Sequence, residues 1–340
     1  MGIVINTTSL RLARSSRWCI NVLAPAVALG VLLSLLGSPG PASADTSRPA
    51  APGAAVTLER DQPPGAGDDF PRMPGVCYES DHRTVKDIPC HITRYGAKRR
   101  PTVLVWGDSH AWMYLPALRR EARATRVNLI LVVFGSCPPA MPLPRSRGFG
   151  RVKCEKHNAA TLTYVKKLQR HRKHLSLLMG GFWAGYRDVY IRQQRADRKG
   201  EDSGLTSYQQ QMSVLAVEGS PRLFSRLGKL GFDVDLIGQA ATVPADAPDC
   251  PAGRDPYQCD LPRRSALIRE RGNRQWIKQN LMAPLAGNPL LIDATPAYCS
   301  PMICRAHVNG ENTYFDDIHL GAQLTRTMTG YFAPVFADLT

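Results

Sequence analysis

Val103-Leu104-Val105-Trp106-Gly107-Asp108-Ser109-His110 is an apolar, largely β-branched run that stops at a glycine and presents a serine at the next turn. With Ala111-Trp112-Met113-Tyr114-Leu115-Pro116-Ala117-Leu118 behind it, the stretch reads as buried strand, tight turn and helix start. Such a turn places the Ser109 hydroxyl at the carboxyl end of a sheet strand. The free N–H groups of the new helix lie beside it, where negative charge is stabilised. An oxyanion can be built there, although Gly-Asp-Ser is also an ordinary helix cap.

A second stretch near the other end adds the missing chemistry. Tyr314-Phe315-Asp316-Asp317-Ile318-His319-Leu320 precedes an amphipathic last helix. Asp316 and His319, three apart at a helix entrance, can face one pocket. The carboxylate then fixes the imidazole tautomer and the other ring nitrogen takes a serine proton. An Asp before a helix is also a routine N-cap, so the two stretches are specific only as a set.

Five runs are expected as buried strands: 102–106, 127–134, 175–179, 234–237 and 290–292. Between and after them, helices are expected over 111–124, 155–171, 208–216 with 221–230, 266–282 and 325–336. Leu223, Leu227 and Leu230 form one apolar stripe, with Ser220-Pro221 as cap and first-turn proline and Gly231 as terminator. Leu324, Met328, Tyr331 and Val335 form another, read as core. Alternating strand and helix predicts a three-layer α/β/α fold with a five-stranded, mainly parallel sheet. Its site belongs at the carboxyl ends of the strands, which Gly107-Asp108-Ser109 and Gly135-Ser136 both follow.

The ends of the chain and its composition bear on location. Residues 1–44 hold no acidic residue; Arg11, Arg14 and Arg17 precede an apolar run from Trp18 to Leu36, and Ala42-Ser43-Ala44 supplies a small-residue cleavage site. This order is that of a signal peptide. An uncleaved anchor is the alternative, since the run is nearly long enough to span a bilayer; Asn21 and Pro25 inside it favour removal. General secretion without lipidation is expected, because neither a paired-arginine motif nor a lipobox-like cysteine is present. Residues 45–76, rich in Pro, Ala, Gly and Ser, read as a flexible linker, and 77–340 as one domain without internal repeats.

Of nine cysteines, Cys19 lies in the leader, leaving an even eight, which in an exported chain suggests disulfides. Roughly a hundred pairings are open to eight cysteines. Neighbour pairing is expected, each pair closing a short loop: Cys77–Cys90, Cys137–Cys154, Cys250–Cys259 and Cys299–Cys304. Metal spacing is absent, and neither metal nor cofactor is expected. The net charge is +15, or +12 once the three leader arginines are set aside. Basic stretches at 166–174, 187–199 and 263–274 read first as solvated helix faces, and second as a surface drawn to anionic glycans or phospholipid head groups. No nucleic-acid partner is expected, for want of any such module.

Taken together, Gly107-Asp108-Ser109-His110 and Asp316-x-x-His319-Leu320 resemble the first and last blocks of SGNH hydrolases. Gly135-Ser136-Cys137-Pro138-Pro139, Cys154 with Asn158, Phe182-Trp183, and Cys299 with Cys304 are similar to one subgroup. That subgroup is the periplasmic SGNH domain often fused to membrane acyltransferases of the acyltransferase-three family, which O-acetylate bacterial surface polysaccharides. The likeness runs from about Cys77 to the C-terminus and implies an SGNH, flavodoxin-like fold. It also implies Ser109 as nucleophile, His319 as general base, Asp316 as its orienter, and the Ser109 N–H with one at the Gly135-Ser136 turn as oxyanion donors.

Two departures stand beside the likeness. The family pattern has an asparagine after the third strand, where this chain has Gly180-Gly181-Phe182-Trp183. Trp183 and Tyr186 are read there either as sugar-stacking or as buried aromatics, and His110 either as pocket lining or as solvent-facing. A fused domain would also follow some ten membrane helices, whereas this chain shows only a leader. The expectation is therefore an exported serine acyltransferase or esterase acting on an acylated polysaccharide, supplied by a separate membrane acyltransferase. The alternatives are a carbohydrate-binding module with a decayed site and a structural envelope protein.

Overall fold

The computed structural model describes residues 69–77, 89–96, 100–144, 153–172, 174–250, 259–337 and 339. The expected leader, and the linker as far as residue 68, lie outside the described residues.

In chain order the elements are β1 (Cys90–Thr93), β2 (Thr102–Gly107), α1 (Ser109–Trp112), α2 (Leu115–Ala124), β3 (Asn128–Val133), α3 (Lys153–His171), β4 (Leu175–Gly180) and α4 (Trp183–Lys199). There follow α5 (Ser207–Val214), α6 (Ser220–Lys229), β5 (Asp233–Ile237), β6 (Leu261–Pro262), α7 (Arg263–Ala266), α8 (Glu270–Ile277) and β7 (Leu291–Ile292). The chain closes with β8 (Ile303–Cys304), β9 (His307–Val308), β10 (Glu311–Asn312), α9 (Ala322–Thr327) and α10 (Thr329–Ala337).

The main sheet has six strands in the order β1-β3-β2-β4-β5-β7. All pairings are parallel except β1 with β3. The five expected strands are all present, and the sixth, β1, is an antiparallel edge. Its short Cys90-His91-Ile92-Thr93 run carries too little apolar pattern to announce a strand.

β2 and β3 are buried along their whole length, as strands covered on both faces must be. Their side chains alternate between two cores. Val103, Val105, Leu129 and Leu131 pack with α2, α9 and α10 through Leu115, Leu118, Leu324, Met328 and Phe332. Leu104, Trp106, Ile130 and Val132 pack with α3, α4, α6 and α8 through Val165, Trp183, Leu223 and Ile277. Helices on both sides of one sheet make the three layers.

The expected helices over 111–124, 208–216 with 221–230, 266–282 and 325–336 are all revised; the last two are broken into α7, α8 and a π turn, and into α9 and α10. The helix expected over 111–124 is two, because Pro116 restarts the chain at the head of α2 and its ring opposes the carbonyl four residues back. α5 and α6 are joined by a π turn, Leu215–Gly219, which takes up the missing N–H of Pro221. Ser220 is therefore not a cap; its hydroxyl donates to Pro139 O at 2.7 Å. Gly231 does terminate α6, with φ at +68°. α4, read in sequence only as a basic face, is a 17-residue helix ending on left-handed Gly200.

All four neighbour disulfides form: Cys77–Cys90, Cys137–Cys154, Cys250–Cys259 and Cys299–Cys304. The stretch expected as linker up to residue 76 is docked from Asp69 onward. Asp69 O accepts from Ala322 N at 2.7 Å and its carboxylate from Gln323 N at 3.2 Å. Met73 is buried and Arg119 donates to Arg72 O. Composition missed this because one carboxylate and two apolar side chains suffice to tie the segment down.

Candidate active site

β2 and β4 end side by side, with Gly107 opposite Gly180. A Cβ on Gly107 would lie 2.2 Å from Gly180 O and 2.6 Å from Ala111 Cβ, so only glycine lets α1 sit this close to the sheet edge. Gly107→Ala is expected to cost about 3 kcal/mol, read as a lowered unfolding midpoint in urea.

Asp108 caps α1 and is buried. One oxygen accepts from His110 N at 2.8 Å; the other accepts from Phe182 N at 3.0 Å and from the Tyr186 hydroxyl at 2.7 Å. The carboxylate thus ties the β2–α1 turn to the β4–α4 turn. Burial raises its pKa to about 6, against the lowering pull of the Phe182, Tyr186 and His110 hydrogen bonds and the nearby His319. Ser109 follows at the head of α1, partly open to solvent. α1 is only four residues long, so local N–H groups rather than a macrodipole would stabilise charge here.

Asp316 and His319 are held in direct contact. His319 Nδ1 lies 2.7 and 2.9 Å from the two carboxylate oxygens. Asp316 also accepts from the backbone N–H groups of Ile318 and His319. They sit in a loop ahead of α9 rather than at its entrance, and the carboxylate closes a local turn instead of capping a helix. Burial works to raise the Asp316 pKa, but the hydrogen bond and charge of His319, with the two backbone donors, outweigh it and hold it below the ordinary value. Nδ1 facing a carboxylate is the protonated nitrogen, which leaves Nε2 with its lone pair. Nε2 is buried and has no hydrogen-bond partner.

The two segments converge. The His319 ring centroid lies 5.0 Å from that of His110, the residue after Ser109. No Ser109–His319 hydrogen bond is made; in acyl-transfer sites that bond often tightens only with substrate bound. Phe70 covers the imidazole edge-on at 5.2 Å and packs on Trp112 and Phe315. Gly135, the expected second oxyanion donor, lies exposed in a turn closed by Cys137 N to Phe134 O, with Ser136 at φ +56°. Phe134 N donates to Gly107 O at 3.0 Å, which brings that turn to the end of β2.

A family model, the SGNH domain fused to AT3 domains, matches residues 76–334. The chain belongs to the SGNH domain family. No curated protein matches it. Among solved structures, the periplasmic domain of a lipopolysaccharide acetyltransferase from Salmonella ser. Paratyphi A aligns with a TM-score of 0.45 and 14% identity. The alignment covers 71% of this chain and 85% of that one.

Within this SGNH domain the aromatic alternatives are settled by burial. Trp183 packs on Phe224 and Trp276, and Tyr186 holds Asp108, so neither presents a face to a sugar. His110 is likewise buried, not solvent-facing. Asn158 is structural: it accepts from Trp106 Nε1 at 3.0 Å and donates to Pro138 O at 2.8 Å, pinning the loop closed by Cys137–Cys154. Among the described residues no cluster of three or more His, Cys, Asp or Glu side chains could hold a metal. Among them, too, no helix is long and apolar enough to cross a membrane.

Proposed function

We propose that this SGNH domain is an exported serine acyltransferase or esterase working on O-acyl groups, in the simplest case O-acetyl groups, of a cell-envelope or exported polysaccharide. The observation that supports it best is the Asp316–His319 pair, with an unpartnered Nε2, brought against the turn that carries Ser109.

Ser109 Oγ attacks the ester carbonyl while His319 Nε2 takes its proton. The Ser109 and Gly135 N–H groups receive the developing negative charge. The ester C–O bond then breaks and His319 returns the proton to the leaving alkoxide, leaving an acyl-serine. A glycan hydroxyl, or water, then attacks that acyl group with His319 again as base; the acyl–Oγ bond breaks and His319 returns the proton to Ser109 Oγ. Which one arrives depends on how well Phe70 and its neighbours exclude water. The acyl donor belongs, in this proposal, to a membrane acyltransferase of the kind to which the family's domains are fused. The basic surface and the four disulfides are consistent with an oxidising, polyanion-rich compartment.

Release of p-nitrophenol from p-nitrophenyl acetate by the purified protein, compared with Ser109→Ala, tests this. Turnover in the native protein and a loss of at least roughly a thousandfold in the variant is expected. Equal rates, or glycan retention without any turnover, would instead favour a binding module.

A further inference from the structure

His110 is not needed by the proton-transfer scheme above, yet it is built into the same site. Its side chain is buried, and its Nε2 meets neither solvent nor a hydrogen-bond partner. A buried polar nitrogen without a partner costs about 1–3 kcal/mol, a cost that an incoming acceptor atom would relieve. The ring is held rigidly. It stacks on Phe182 with centroids 4.4 Å apart and planes 12° from parallel. Phe182 is itself fixed, its N–H on Asp108 and its ring against Gly185, where a Cβ would meet it at 1.9 Å. The His110 backbone N–H is fixed by the other Asp108 oxygen.

Resting on the acyl-transfer reading, we propose that His110 is a further catalytic residue, whose neutral imidazole donates Nε2–H to the oxyanion formed when Ser109 attacks the ester.

Three observations agree on this role. The residue is next to Ser109 in sequence, and its ring is 5.0 Å from that of His319, so it borders the carbon being attacked. Burial first, and the charge of His319 second, keep its pKa well below the ordinary value. A neutral donor does not repel the imidazolium that His319 becomes in the transition state, as a lysine or arginine at the same place would. The stack on Phe182 also fixes the donor before the reaction begins, which is the condition for a hydrogen bond to count more in the transition state than in the ground state.

The test uses p-nitrophenyl acetate kinetics on the whole protein with His110→Ala and His110→Asn, and phenylboronic acid as a tetrahedral mimic. His110→Ala is expected to lower kcat by roughly a hundred- to a thousandfold with KM within about threefold. His110→Asn, which keeps a side-chain N–H, is expected to recover at least about tenfold of that loss. A kcat for His110→Ala within about threefold of the native protein would overturn the assignment, as would two folded variants equally impaired. Should the alanine variant fail to fold, imidazole nitrogen NMR of the native protein with and without phenylboronic acid decides. A protonated Nε2 whose proton moves downfield in the adduct supports the assignment, and an unprotonated or unmoved Nε2 overturns it. A native protein without turnover and without a boronic acid adduct would sink the acyl-transfer reading itself, and this inference with it.

Discussion

His319→Gln is expected to abolish ester turnover to within background, a fall of roughly 10³- to 10⁴-fold, with little change in the unfolding midpoint. Nε2 is the unpartnered nitrogen beside the Ser109 turn, and glutamine supplies no base there. Its carboxylate partner should matter nearly as much. Asp316→Asn keeps the shape, but the amide can then present N–H to Nδ1. The proton then moves to Nε2, which would turn the proposed base into a donor. Because Asp316 also accepts from Ile318 N and His319 N, the asparagine variant is also expected to loosen the loop. Both variants can be compared by initial rates at fixed pH, with circular dichroism as the control for folding. Full activity in either would remove His319 or Asp316 from the mechanism.

Asp108 carries the second large effect, this time on stability. Asp108→Ala leaves His110 N, Phe182 N and the Tyr186 hydroxyl without their acceptor, and is expected to cost roughly 3–5 kcal/mol by urea unfolding. The same carboxyl makes stability depend on pH. Its folded pKa of about 6 lies above the 3.8 of the free group. The folded state therefore holds the proton more tightly, and stability from this group is complete below about pH 4. It is lost as pH rises through about 6, by roughly 3 kcal/mol in all. Asp69, also raised to about 6, acts in the same direction, whereas Asp316, Glu270 and Asp293 are lowered and act in the opposite one. The difference between native and Asp108→Asn unfolding curves from pH 4 to pH 7 isolates the Asp108 share. A difference that does not change with pH would refute it.

The parts legible in the sequence were those where local chemistry dictates structure. The β2 and β3 runs could only be doubly covered strands, and each cysteine had a near neighbour within a short loop. The Asp-x-x-His spacing put carboxylate and imidazole in reach whatever the surrounding backbone did, so the contact forms although the helix entrance lies elsewhere. What escaped was non-local. Asp108 looks like an N-cap, and nothing near it in sequence shows that its second oxygen is spoken for by residues 74 and 78 positions on. Phe70, a single aromatic in a proline-rich stretch, has no periodicity to betray its contact with His319. His110 was ambiguous for the same reason, since its burial depends on Phe182 from a different strand's exit.

The central claim is that Ser109 is a nucleophile activated by His319, and active-site labelling tests it directly. The protein treated with a fluorophosphonate and mapped by mass spectrometry after digestion should carry a single adduct on Ser109, absent in His319→Gln. An unlabelled Ser109 in a protein that still releases p-nitrophenol, or an adduct on another residue, would contradict it.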